Sequence, residues 1–143
     1  MDLTQEDQDA VREMLALLRQ VAEDFVHEYF GRMAASAPED RLVHLSGADG
    51  GQYLLWTLVD TVELYGDPER FSEALMVAPD SIDEIAEFEE KYKKRVECFY
   101  WAAERCLGSA FRPAMRSGHR KLSAIAGRAV MSGARKTLGV MPG

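Results

Sequence analysis

Histidine is scarce in this 143-residue chain: there are three, and none lies between His44 and His119. With so few, no Ser/His/Asp set and no Cys–His pair can be assembled from spacing alone. Cysteine is sparser still. Cys98 and Cys106 form no Cys-x-x-Cys pair, and two lone thiols of this kind are expected to be reduced and buried. No apolar run approaches the ~18–20 residues that cross a membrane. Met1-Asp2-Leu3 is acidic, unlike a signal peptide. The expectation is a soluble cytoplasmic protein with no membrane partner. A third absence is one of sign, because residues 105–143 contain no Asp or Glu at all.

What is present suits a folded domain. Hydrophobic residues make up 47% and aromatics 9%, enough to build a core and too much for a disordered chain. The length fits one domain, 1–143. The net charge of −7 hides a polarity. All 24 acids and nine of the 17 basic residues lie in positions 1–104, a net of −15; the other eight basic residues give the remainder +8. Such a division fits an anion-binding tail or a basic helix lying against acidic ones. The apolar spacing inside the basic segment favours the second.

The periodicity is helical throughout, with no alternating strand and no repeat. Thr4 can cap a helix whose apolar face runs Val11, Met14, Leu15, Leu18, Val21, Phe25, Tyr29, Met33, with a bend, until Pro38. A short turn is expected near residues 41–45. Ser46 to Gly51 reads as a loop; with no preceding strand and no Gly-Lys-Ser/Thr ending, it is not a phosphate loop. Leu54, Leu55, Leu58, Val59 and Val62 mark a further helix that stops near Gly66. Asp67-Pro68 opens a short one that ends by Pro79. Ile82, Ile85, Phe88, Tyr92, Val96, Phe99, Ala103 and Leu107 define a long helix over about 81–107. Three Glu-to-Lys pairs four apart, Glu87–Lys91, Glu89–Lys93 and Glu90–Lys94, support it by ~0.2–0.5 kcal/mol each. Gly108 ends it, and Arg112-Pro113 opens a last helix over about 113–137. Gly118, Gly127 and Gly133 inside that helix point to close approach of another helix or a second subunit, since each costs ~1 kcal/mol against alanine. The fold class is all-α, with six to eight helices.

The run from Tyr92 through Trp101, Ala102 and Glu104 to Leu107-Gly108-Ser109-Ala110-Phe111 resembles the seventh helix and following corner of bacterial globins, the single-domain haemoglobins and the globin domain of flavohaemoglobins. Val21 to Phe25, Tyr29 to Met33 and Pro38-Glu39 resemble the globin second helix and its exit, and Asp67-Pro68-Glu69 a short acidic link. The resemblance covers nearly the whole chain and implies a globin-like fold. Aligned on Tyr92, it puts the family's iron-ligating histidine at or near Ile82. The supporting tyrosine falls at Ser123, the last-helix tryptophan at His119 and the second-helix tyrosine at Phe30, with Tyr29 one step off. The distal glutamine falls near residues 50–52, and the heme-edge phenylalanine near Val43–His44. Residues 80–90 carry six acids and run straight into the next helix, where heme globins break.

With its ligand position changed, the chain resembles the non-heme globin domains of bacterial stress-signalling and sensor proteins, which often dimerise through their last two helices. The resemblance implies a regulatory or interaction module rather than an enzyme. Heme is disfavoured as cofactor, and a small apolar ligand would lie among Phe30, Leu54, Leu58, Ile82 and Phe99. A homodimer through the C-terminal helices is expected. The alternative is a heme globin ligated by Cys98, Tyr92, Met76 or a lysine and binding oxygen or another diatomic.

Two further features invite chemistry. Asp24-x-x-His27 has di-iron spacing, but one such motif is too few, and a surface pair is the expectation. His119 reads as a solvent or packing residue. Arg112, Arg116, Arg120 and Lys121, with Gly127 beyond them, form the candidate partner contact, either matched to acidic helices or docking an acidic protein. Overall acidity argues against nucleic acid.

Overall fold

The computed structural model describes residues 3–40, 43, 82–137 and 139, apart from the side chains of 82–84 and of several residues beyond 125. The described residues are almost wholly helical: α1 (Gln5–Gln20), α2 (Ala22–Ser36), α3 (Ile82–Leu107), a 3-10 turn (Gly108–Ala110) and α4 (Pro113–Thr137). The expected helices near residues 52–66 and 68–79 lie outside them.

Thr4 starts α1 as its sequence suggests. The Asp7 amide donates to Thr4 Oγ1 and the Thr4 amide to Asp7 Oδ2, both at 3.1 Å. This reciprocal box satisfies two amides that the first helical turn leaves open. Ala10, Val11, Met14, Leu15 and Leu18 form the buried face of α1. The expected bend is a complete break. Val21 leaves the helical region at φ −122°, ψ 32°, its amide turns back to Leu18, and α2 restarts at Ala22. The apolar spacing continues across the break with Phe25, Tyr29 and Met33 buried.

α3 runs unbroken for 26 residues. Gly108 stops it with φ 55°, in the left-handed region where a side chain is strained. Of its three expected Glu–Lys pairs, only Glu87–Lys91 closes among the described residues, at 3.3 Å. α3 packs chiefly on α2 and also on α4, while α4 packs chiefly on α1. Contact on two sides buries α3 beyond one stripe, taking in Cys98, Phe99, Tyr100, Ala102 and Ala103. Val11, Met14, Leu18, Phe25, Met33, Met115 and Leu122 complete the centre.

α4 approaches α1 through a glycine. A Cβ on Gly118 would stand 3.0 Å from the Asp7 carbonyl oxygen and 3.2 Å from Val11 Cγ2. At Gly127 the neighbour is the Tyr92 ring, 3.0 Å away. At both positions the close approach lies within one chain.

Candidate functional site

His119 falls four residues after Met115 and three before Leu122, so helical spacing carries it onto the buried face of α4. Its ring lies flat on Phe99, with centroids 4.6 Å apart and planes 7° from parallel. The Tyr100 hydroxyl is 2.8 Å from Nδ1, and the Ser123 hydroxyl 3.1 Å from the same nitrogen. Nδ1 has one lone pair in the ring plane, so only one of these hydroxyls can donate to it at a time, and the two contacts fix the ring's position rather than its tautomer. Tyr92 extends the network by donating to the Ser123 carbonyl at 2.8 Å. Two tyrosines of α3 are thereby tied to two consecutive turns of α4.

Burial sets the electrostatics here. Desolvation, helped by the nearby Arg120 charge, pushes the His119 pKa down to about 4. Desolvation also pushes the Tyr100 hydroxyl up to about 12, against smaller opposing effects of Ser123 and Arg120. Both groups therefore stay neutral around pH 7. A general acid or base works best with a pKa near the operating pH. These values suit packing and orientation instead.

The second buried polar feature is an ion pair that the sequence pattern does not announce. Arg95 Nε donates to Asp40 Oδ2 at 2.9 Å and Arg95 Nη2 to Oδ1 at 2.8 Å. The side chains are only 7% and 1% exposed. This fork joins the chain just beyond α2 to the middle of α3. A signal was present, because Arg95 lies three residues after Tyr92 and four before Phe99, on the apolar stripe itself.

The candidate apolar-ligand residues separate. Phe99 is buried edge-on against Phe25 at 5.0 Å. Phe30 is half-buried and edge-on to Tyr29 at 5.3 Å. Tyr29 and Phe25 stand between them, 6.3 Å apart, so an aromatic ladder runs Phe30, Tyr29, Phe25, Phe99, His119. Leu54 and Leu58 lie outside the described residues. Ile82 opens α3, and its side chain lies outside them too.

Four basic residues at the start of α4 and just before it meet acids of the same chain. Arg112 pairs with Glu13 and Lys121 with Asp7, both on α1; the latter distance is 2.9 Å. Arg116 pairs with Glu104, and Arg120 with Glu97 at 2.8 Å, both on α3. The division of charge along the sequence therefore becomes a match between neighbouring helices. Lys121, together with Thr4, holds the Asp7 carboxyl below its ordinary range. The exposed pairs of Arg112, Arg116 and Arg120 contribute only ~0–1 kcal/mol each, while Lys121–Asp7 is part-buried.

A cleft of about 270 Å³ opens between α2 and α3. Arg32 and Ser36 form one wall and Lys94, Cys98 and Trp101 the other, with Arg116 at the α4 side. The Arg32 guanidinium sits 5.1 Å from the Trp101 ring centre, and that of Arg105 4.9 Å. Burial pushes the Cys98 thiol up, partly offset by the Ser36 hydroxyl, and burial also raises Cys106. Raised pKa values make both thiols poor nucleophiles. Among the described residues, no group of three or more His, Cys, Asp or Glu side chains is placed to hold a metal.

Comparison with protein-family models, curated proteins and solved structures finds no match to this chain.

Proposed function

We propose that this chain is a globin-like regulatory module that works by binding rather than by catalysis, without conventional heme. The observation that carries the reading is the buried network around His119. Sequence resemblance puts the family's ligand-supporting tyrosine at Ser123. There the Ser123 hydroxyl meets His119 Nδ1 and the Ser123 carbonyl accepts from Tyr92. His119 itself is stacked on Phe99. Side chains thus pack the α3–α4 interface where the resemblance calls for a histidine's support. The unbroken course of α3 from Ile82 to Leu107 agrees, since a heme-holding globin breaks near there.

In this reading a small apolar ligand lies at the Phe30 end of the aromatic ladder, with Leu54, Leu58 and Ile82 completing its surroundings and Phe99 reached only through Tyr29 and Phe25. Two copies associate through their C-terminal helices in a four-helix contact. The module passes on ligand occupancy by shifting that contact. An acidic protein partner fits less well, because Arg112, Arg116, Arg120 and Lys121 already face carboxylates within the chain.

Native mass spectrometry of the purified protein tests both halves. A dimer carrying a small organic adduct that is lost on denaturation is the expected spectrum. A monomer free of adducts at micromolar concentration would overturn the reading.

A further inference from the structure

We propose that the cleft between α2 and α3 binds a small organic anion, a carboxylate or phosphate monoester, gripped by Arg32 and Lys94. The site is separate from the apolar surroundings of Phe99, and it stands whether or not the module reading does.

Helical geometry builds its walls. Arg32 and Ser36 are one turn apart on α2, and Lys94, Cys98 and Trp101 follow one another up one face of α3. Both ridges line the same concavity of about 270 Å³. That volume lies just under the ~300–1,000 Å³ of drug-sized pockets, so the occupant is a small molecule.

Charge gives the sign of the ligand. Two carboxylates line the cleft, and each already has an arginine: Glu104 has Arg116 and Glu97 has Arg120. Arg32 and Lys94 have no carboxylate partner among the described residues. Two cations with no carboxylate partner among the described residues concentrate positive potential in a concavity, even on a chain whose net charge is −7. Arg32 is also held in place. Its stacking on Trp101 limits the rotamer freedom that anion binding would otherwise cost.

The boundary is visible as well. A smaller recess of about 190 Å³ shares Ser36 and Lys94, but three carboxylates, Glu39, Asp40 and Glu90, outnumber the one further cation, Lys91, in its lining. Those carboxylates repel an anion, which confines it to the larger compartment beside Arg32.

The test is a pair of ¹⁵N NMR titrations of the full chain, one with inorganic phosphate and one with succinate, at constant ionic strength. Saturable shifts confined to amides 32–36 and 94–101 and to the Trp101 indole are expected. Arg32→Gln with Lys94→Gln should weaken binding at least ~10-fold, since each loses a charge-assisted hydrogen bond. Both side chains are exposed, so the helical circular dichroism of this variant should match the parent. Lys93→Gln, an exposed neighbour outside the cleft, should bind as the parent does. Saturation by phosphate alone assigns a phosphoryl ligand, and saturation by succinate alone a carboxylate. The proposal is overturned if neither probe saturates, if shifts centre instead on Arg112 and Lys121, away from the cleft, or if the double variant binds unchanged. Saturation by an acidic peptide and by neither small anion would equally overturn it.

Discussion

Lowering the pH from about 7 to about 5 should destabilise this protein, and His119 should account for the loss. The ring has an ordinary pKa of 6.5 and is pushed down to about 4 by burial. Between those values the unfolded chain holds a proton that the folded chain refuses. Stability therefore rises with pH across the window, is complete above the unfolded value, and falls as pH drops toward the folded one. At ~1.36 kcal/mol per pKa unit the full effect is about 3 kcal/mol, and the part between pH 7 and pH 5 is about 2 kcal/mol. The interval lies above the ordinary carboxylate range, so acid groups contribute little to it. Urea unfolding at a series of pH values gives the slope, and the His119 ring resonances give the titration directly. Replacing His119→Gln should flatten the pH dependence while lowering stability overall, because the ring's stacking on Phe99 is lost. A flat profile in the parent, or an undiminished slope in the variant, would refute the reasoning.

The Asp40–Arg95 fork gives a second expectation. Asp40→Asn strands a buried guanidinium and should cost ~3–5 kcal/mol in urea unfolding, whereas Asp40→Leu with Arg95→Met should recover much of that loss. A cost under ~1 kcal/mol for the single change would show that the pair behaves as an exposed one. Two glycines give opposite signs. Gly31→Ala has nothing within 4 Å of the new methyl and should stabilise α2 by ~1 kcal/mol. Gly118→Ala drives a methyl toward the Asp7 carbonyl at 3.0 Å and should destabilise by ~1–3 kcal/mol despite the same propensity gain. Thermal midpoints of the two variants, moving apart around the parent, check this.

Local signals were the readable ones. Thr4 caps α1, Gly108 stops α3, and the long apolar stripes around Phe99 and Met115 place their helices within a residue or so, because each rests on neighbours in sequence. The break at Val21 is harder to see. The apolar spacing passes through it without a gap, and only packing decides whether a bend becomes a break. Buried polar groups were harder still. A histidine within a basic stretch reads equally as a solvent or a packing residue, and its burial depends on Phe99 and Tyr100, some 19 residues earlier in the case of Tyr100. Asp40 and Arg95 are 55 residues apart, and no periodicity announces such a pair. The basic run of α4 has two readings in sequence, an external dock or internal matching. The acids that meet it lie on two other helices, so pairing Arg112 with Glu13 and Arg120 with Glu97 required the fold.

On the reading proposed above, a packed side-chain network at Ser123 and His119 stands where a globin would support heme. Titration of the purified protein with hemin, followed in the visible spectrum, tests it most directly. The account predicts a broad, non-saturating absorbance like that of free hemin. A sharp Soret band that saturates near one equivalent would contradict it, and would return the chain to the heme-binding alternative.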